Sequence, residues 1–224
     1  MLKFKSPLVR KYLTIVFVIL LIDQLIKVYV KTHFYLGEEV NIAGDWFTIH
    51  FTENIGMAYG MEFGGEYGKL VLSIFRIAAV GALGYYLWTL TKQKEDQLFI
   101  VCIALIFAGA IGNILDSAFY GVLFSDSNYE VARFMPEDGG YSTFLHGKVV
   151  DMFYFPVIRG HFPAWFPFWG TEEFVFFRPV FNFADASIST GVAIIILCQK
   201  RFFGKKAAVS QEEPIVETTV NQGC

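Results

Sequence analysis

The residues best suited to moving protons in this chain lie within or beside its most apolar stretches. Asp23 and Lys27 stand four apart in YLTIVFVILLIDQLIKVYV (12–30), and Asn113 and Asp116 stand three apart where LFIVCIALIFAGAIGNIL (98–115) ends. Asn182 and Asp185 are three apart in FNFADASI (181–188), Asp151 follows an apolar pair in GKVVDMFYF, and Asn54 opens NIGMAYG (54–60). A carboxylate in or beside hydrocarbon is costly, so each needs a partner or a task. Two carboxylates brought together share one proton, which makes one an acid and the other a base. Such a dyad activates water against an amide carbonyl without a metal or a covalent intermediate. Asp151 and Asp185 are the candidates for that pair. From spacing alone they read more readily as a loop charge and a helix cap with nothing in common, and it is the company of the other polar residues that favours a pair. Asp23 and Lys27, an i,i+4 pair that neutralises itself, read as a structural pin or as part of the site.

Other hydrolytic designs fit poorly. There is no HExxH, and His33, His50, His146 and His161 are scattered, against a zinc site. There is no GxSxG nucleophile, and neither Cys102 nor Cys198 has a His nearby in sequence. Paired acids within a membrane also make proton relays, so a four-helix proton-coupled transporter or channel subunit is the rival reading. A transporter places its acids near the midplane, whereas these gather toward one end.

The elements that must hold these groups follow from composition. The chain has 224 residues, 54% hydrophobic and 17% charged, below the roughly 25% charged residues of soluble domains. Its 25 Phe and 11 Tyr do not suit a disordered chain, and a net charge of −3 speaks against nucleic-acid binding. Four apolar runs, 12–30, 70–90, 98–115 and 183–199, approach the roughly 20 residues needed to cross a bilayer. The expected fold is therefore a mainly α membrane protein with four transmembrane helices. The first run lacks a small-residue cleavage site and reads as a retained anchor.

Basic residues at Lys3, Lys5, Arg10 and Lys11, at Lys92 and Lys94, and at Lys200 to Lys206 place both termini and the 91–97 turn in the cytoplasm. The connections 31–68 and 116–182 then lie outside, and Arg76 snorkels to the outer interface. Alternation of Phe47, Ile49 and Phe51 within 46–52, after Gly44-Asp45, predicts a small extracytoplasmic β element. The stretch 153–169 has eight aromatic residues among seventeen, broken by Pro156, Pro163 and Pro167. It reads as an interfacial loop or helix region, with Phe155, Phe162, Trp165, Phe166 and Trp169 as a cover or an anchor. Residues 1–203 read as one domain and 204–224 as a disordered cytoplasmic tail.

The ordered set DQLIK (23–27), NIGMAYG (54–60), GAIGNILD (109–116), VVDMF (149–153) and FNFADASI (181–188) resembles the lipoprotein signal peptidase (signal peptidase II) family. The resemblance implies an aspartic endopeptidase of the bacterial inner membrane, acting as a monomer at the outer face. Its substrate would be a diacylglyceryl-modified prolipoprotein, cut just before the lipidated Cys, with membrane lipid as its other partner. It implies no cofactor and no metal. By motif, Asp151 and Asp185 are its catalytic dyad. Asn54, Gly56, Ala58, Asn113, Asp116 and Asn182 form the supporting or substrate-binding shell, with Asp23 and Lys27 as the structural pair. Two departures stand out: Ser117 where the family usually has Arg, and outer loops extended near 121–146 and 156–179.

Overall fold

The computed structural model describes residues 7–44, 46–54, 65–156, 158–161, 165, 173–176 and 179–209. The first apolar run forms α1 (Pro7–His33), opened by a proline whose missing N–H costs nothing in the first turn. Helices α2 (Gly65–Gln93) and α3 (Gln97–Leu115) are joined by a tight turn in which Lys94 takes a positive φ of 53°. Asp96 starts α3 by accepting from the N–H groups of Leu98 (2.8 Å) and Phe99 (3.3 Å). Beyond Leu115 the helix widens into a π turn over Asp116–Tyr120 and ends with Gly121–Leu123. The last apolar run forms α4 (Phe183–Leu197), followed across Cys198 by α5 (Gln199–Val209).

Among the described residues, three helical stretches are long and apolar enough to cross a membrane: Pro7–His33, Leu70–Gln93 and Gln97–Leu123. The fourth run is helical too, but at 15 residues α4 falls short of the roughly 20 that a full crossing takes. Helix α5 carries the chain on to Val209, so the first residues of the expected tail are helical. Residues 210–224 lie outside the described part.

Helix α3 is the hub, packed by α1, α2 and α4. Lipid offers no hydrophobic gain for joining helices, so close backbone packing matters more. The α3–α4 seam shows this. A Cβ on Gly109 would meet the Ala184 carbonyl oxygen at 2.3 Å, and one on Gly191 would meet that of Cys102 at 2.7 Å. One apolar cluster (Tyr12, Leu87, Phe99, Ile103, Phe202) fills the bundle between the helices. A second (Val30, Phe51, Tyr120, Phe124, Val150, Met152) lies where the bundle meets a sheet.

That sheet is the expected β element with one strand more. Strands β1 (Glu39–Ala43) and β2 (Phe47–Asn54) form the hairpin, and Gly44 supplies a positive φ of 52° at its turn. Strand β3 (Val149–Tyr154) comes from the other long connection and pairs antiparallel with β2, setting Thr52 opposite Asp151. Farther along, β4 (Ile158–His161) pairs with β5 (Glu173–Phe176), an antiparallel ribbon in the stretch read as interfacial loop or helix. Phe155 stacks on Phe47 (centroids 4.8 Å) and Phe181 (5.7 Å), and Trp165 is exposed. Phe162, Pro163, Phe166, Pro167 and Trp169 lie outside the described residues, as do Gly56 and Ala58.

The 121–146 extension is fastened to the sheet by buried charge. The ammonium of Lys31, at the end of α1, pairs with the Glu53 carboxylate of β2 and donates to the Ser127 hydroxyl at 2.8 Å. Ser127 donates in turn to Glu53 (3.0 Å), and Lys148 reaches its other oxygen at 3.2 Å. The Lys31 nitrogen lies 5.0 Å from the Tyr141 ring and 5.5 Å from that of Phe124. Removing one member of a buried pair strands the other charge, typically at a cost of about 3–5 kcal/mol. Glu53→Ala should therefore lower stability by about that much, and adding Lys31→Met should recover most of it. Thermal unfolding in detergent measures both. A single variant that melts like wild type would show that this network does not fasten the extension.

Candidate active site

At the sheet end of the bundle, α1, α3, α4, β2 and β3 bring one polar cluster together. At its centre is Lys27, fully buried on α1. Its ammonium lies 3.0 Å from Asp23 Oδ2 and 2.8 Å from Asp116 Oδ2, and donates to Asn113 Oδ1 at 2.9 Å. The expected Asp23–Lys27 pair is thus a shared cation, not a self-contained one. Gln24 strengthens the arrangement by donating to Asp23 (3.1 Å) and Asp116 (2.9 Å), while the Tyr120 hydroxyl donates to Gln24 Oε1 (3.2 Å).

Each carboxylate on Lys27 also places a further element. Asp23 Oδ1 accepts from the backbone N–H of Ala184 at 2.9 Å, in the first turn of α4. Asp116 Oδ2 also accepts, at 3.3 Å, from the backbone N–H of Val150, the residue before Asp151. The π turn starting at Asp116 is the kind of helix irregularity often found at functional sites.

The two candidate acids are held by amides. Asn182 caps α4 by accepting from the Asp185 N–H (2.9 Å), and Asp185 Oδ2 accepts back from the Asn182 N–H (3.4 Å). The Asn182 side-chain amide donates to Asp151 Oδ1 at 2.7 Å and lies 3.1 Å from Asn113 Oδ1. Asn113 donates to Asp185 Oδ1 at 2.7 Å, and Asn54, at the end of β2, donates to Asp151 Oδ2 at 3.3 Å. Asp23, Lys27, Asn54, Asn113, Asp116, Asp151, Asn182 and Asp185 therefore form one connected network.

Asp151 and Asp185 open onto the same cavity of about 390 Å³. Its wall includes Asn54, Asn113, Ala110, Ile114, Val149 and Ile188, with Phe75, Arg76, Ala79 and Val80 across from α2. Arg76 thus lines the cavity. Ser117 is buried and donates to the Asn113 carbonyl (3.1 Å), so it serves its own helix. Spacing did not reveal Gln24, Tyr120 or Arg76. An uncompensated Gln or Arg in an apolar run is the signal that was available.

These elements also align with known proteins. The family model for signal peptidase (SPase) II matches residues 15–201. The chain belongs to that family. A lipoprotein signal peptidase of Porphyromonas gingivalis is 53% identical over 188 residues, 84% of this chain and 81% of that protein. One of Amoebophilus asiaticus is 34% identical over 214 residues, 94% of this chain and 84% of its own length. Two solved bacterial membrane enzymes share the fold at 22% identity. One has a TM-score of 0.55 over 92% of this chain and 94% of its own. The other scores 0.53 over 84% and 92%.

As a signal peptidase II member, the chain should show carboxyl groups out of their ordinary range. Asp151 does: burial, and then the neighbouring charge of Asp185, push it up to about 7. An unfolded Asp titrates near about 3.9, so the folded state holds this proton longer. The cost of ionising Asp151 in place is absent below the unfolded value, grows between the two, and is complete above about 7. Asp151→Asn keeps the shape without the charge. Its melting temperature should rise relative to wild type between pH 5 and pH 8, as a gain of about 2–4 kcal/mol develops. A constant difference across that range would mean that Asp151 is not raised.

Proposed function

We propose that this protein is an aspartic endopeptidase that removes the signal peptide from diacylglyceryl-modified prolipoproteins just before the lipidated Cys. The observation that carries this reading is the meeting of Asp151 and Asp185, tied through Asn182 and Asn113, on one cavity at the end of an apolar bundle. Asp151 holds the shared proton, since burial favours its neutral form. Asp185 sits in the first turn of α4, held in the capping box with Asn182, and takes the part of the base.

The chemistry then runs without a covalent intermediate. Asp185 takes a proton from water while the water oxygen bonds to the scissile carbonyl carbon, and Asp151 gives its proton to the carbonyl oxygen. The tetrahedral species collapses as the C–N bond breaks. The leaving amine takes the proton held by Asp185, and Asp151 recovers its own from the hydroxyl that becomes the new acid. The lipid chains stay in the bilayer and fix the height of the scissile bond, so positioning supplies much of the specificity.

The same reading places the protein in the bacterial inner membrane as a monomer with four spans, α4 crossing beside α3 as the fourth. Both termini face the cytoplasm and the site faces out, as the basic flanks argue. Residues 1–203 form the peptidase domain, and 204–224 extend from it. Nothing in the family match favours a transporter.

Asp151→Asn and Asp185→Asn should each slow cleavage about 10²–10⁴-fold, the span expected for loss of a general acid or base. A gel-shift assay with lipidated prolipoprotein and its unlipidated precursor checks this. Wild-type activity should decline above pH 7 as the dyad loses its one proton. Near-normal turnover by either variant would remove that residue from the chemistry, and equal processing of both precursors would contradict the lipid's part in positioning.

A further inference from the structure

The end of the bundle away from Asp151 and Asp185 carries another, larger cavity. Tyr12 lines it on α1, fifteen residues before Lys27 and so about 22 Å away along the helix axis. It is a groove of about 480 Å³ between α1 and α2, with Val9 and Leu13 on one side and Leu87 and Trp88 on the other. Phe107 lines it from α3, seated against Gly84, where a Cβ would come within 2.9 Å of the ring. Helices α1 and α2 touch each other little, because each packs on α3 instead. The space left between them is walled by hydrocarbon, and Leu13 on its rim is exposed.

Positive charge gathers beside this apolar wall. The Lys92 ammonium lies 3.7 Å from the Trp88 ring centroid, and that of Lys11 lies 5.5 Å from the Tyr12 ring. Both rings belong to the groove, and both lysines are exposed. Lys11 also donates to Gln97 Oε1 at 3.3 Å. The α2–α3 turn carries two carboxylates, Glu95 and Asp96, and Asp96 is bridged to Arg201 at 2.8 Å. Arg10, Lys94 and Lys200, all exposed, keep this end of the bundle positive. Within the wall, the buried Tyr12 hydroxyl has no hydrogen-bond partner among the described residues. Buried hydroxyls are nearly always paired, which points to a polar group from outside the chain.

We propose that this groove binds one anionic phospholipid, with an acyl chain along its apolar wall and the phosphate beside Lys11 and Lys92. Hydrocarbon alone would suit the wall but leave the two ammonium groups unanswered, and a free anion would do the reverse. Basic pockets between membrane helices suit anionic headgroups. A chain in the groove also supplies the dispersion contacts that a void between α1 and α2 forgoes. The site lies apart from Asp151 and Asp185, and it requires only that α1 and α2 stand in a bilayer.

Native mass spectrometry of the full-length protein in detergent tests this, with dioleoyl-phosphatidylglycerol and dioleoyl-phosphatidylcholine titrated separately. Wild type should take up one phosphatidylglycerol at about ten- to thirtyfold lower lipid concentration than phosphatidylcholine, the worth of two lysines at a headgroup. Lys11→Gln combined with Lys92→Gln should erase that preference, whereas Lys11→Arg combined with Lys92→Arg should keep it. Leu13→Trp, which fills the groove, should lower the uptake of both lipids. Melting in lipid-free detergent should match wild type for each variant. Equal uptake of the two lipids by wild type would overturn the proposal, as would a preference that survives in the glutamine pair. Should the glutamine pair melt lower, Leu13→Trp decides: phosphatidylglycerol uptake at the wild-type level with the groove filled would overturn the proposal. A dimer mass in place of the lipid adduct would overturn it too, and assign the groove to a second copy of the chain.

Discussion

A single buried ammonium organises this molecule. Lys27 is fully buried, so it must be surrounded by oxygen, and its three oxygens come from α1 and from the C-terminal end of α3 with the π turn that follows it. Neither carboxylate could stay buried without the cation, nor the cation without them. Their spare hydrogen-bonding capacity then reaches outward, to the backbone of α4 through Asp23 and to that of β3 through Asp116. The two proposed catalytic acids thus lie one residue from a backbone group held by the Lys27 cluster in each case: Asp185 after Ala184, Asp151 after Val150. Charge neutralisation and geometric placement are the same set of bonds.

A second buried cation repeats the device for a different purpose. Lys31, one turn farther along α1, binds Glu53 and Ser127, and so joins the helix to β2 and to the 121–146 extension. The extension in turn accepts the Ser73 hydroxyl of α2 at the Leu145 carbonyl. Through these links the sheet, the extension and α2 form one frame around the cavity. Close contact of small residues along α3 and α4 supplies what hydrophobic association cannot supply within lipid.

Local periodicity made several parts legible in the sequence. The i,i+4 relation of Asp23 and Lys27 and the i,i+3 relation of Asn182 and Asp185 follow from helix pitch alone. Alternation foretold β2, and long apolar runs foretold the helices. What sequence could not convey depended on distance between elements. Sharing of Lys27 with Asp116 requires the spacing of α1 and α3. The pairing of β2 with β3 joins segments almost a hundred residues apart, and no local pattern fixes that register. The burial of Lys31 and Glu53 has no local signature either, because it is set by the distant residues that cover them. The place of Arg76 on the cavity wall was likewise not legible, because it depends on the rotation of α2, which a bond to the extension helps to set.

The β2–β3 pairing and the Asn182 cap also govern when the site can exist. Strand β2 emerges early in synthesis, its partner β3 much later, and Asn182 and Asp185 only with the final apolar helix. A chain still being threaded into the bilayer holds Asp23 and Lys27 in place but has neither proposed acid beside the other. The proposed centre is thus a late product of synthesis, complete only once the last apolar helix has been made and docked against α3.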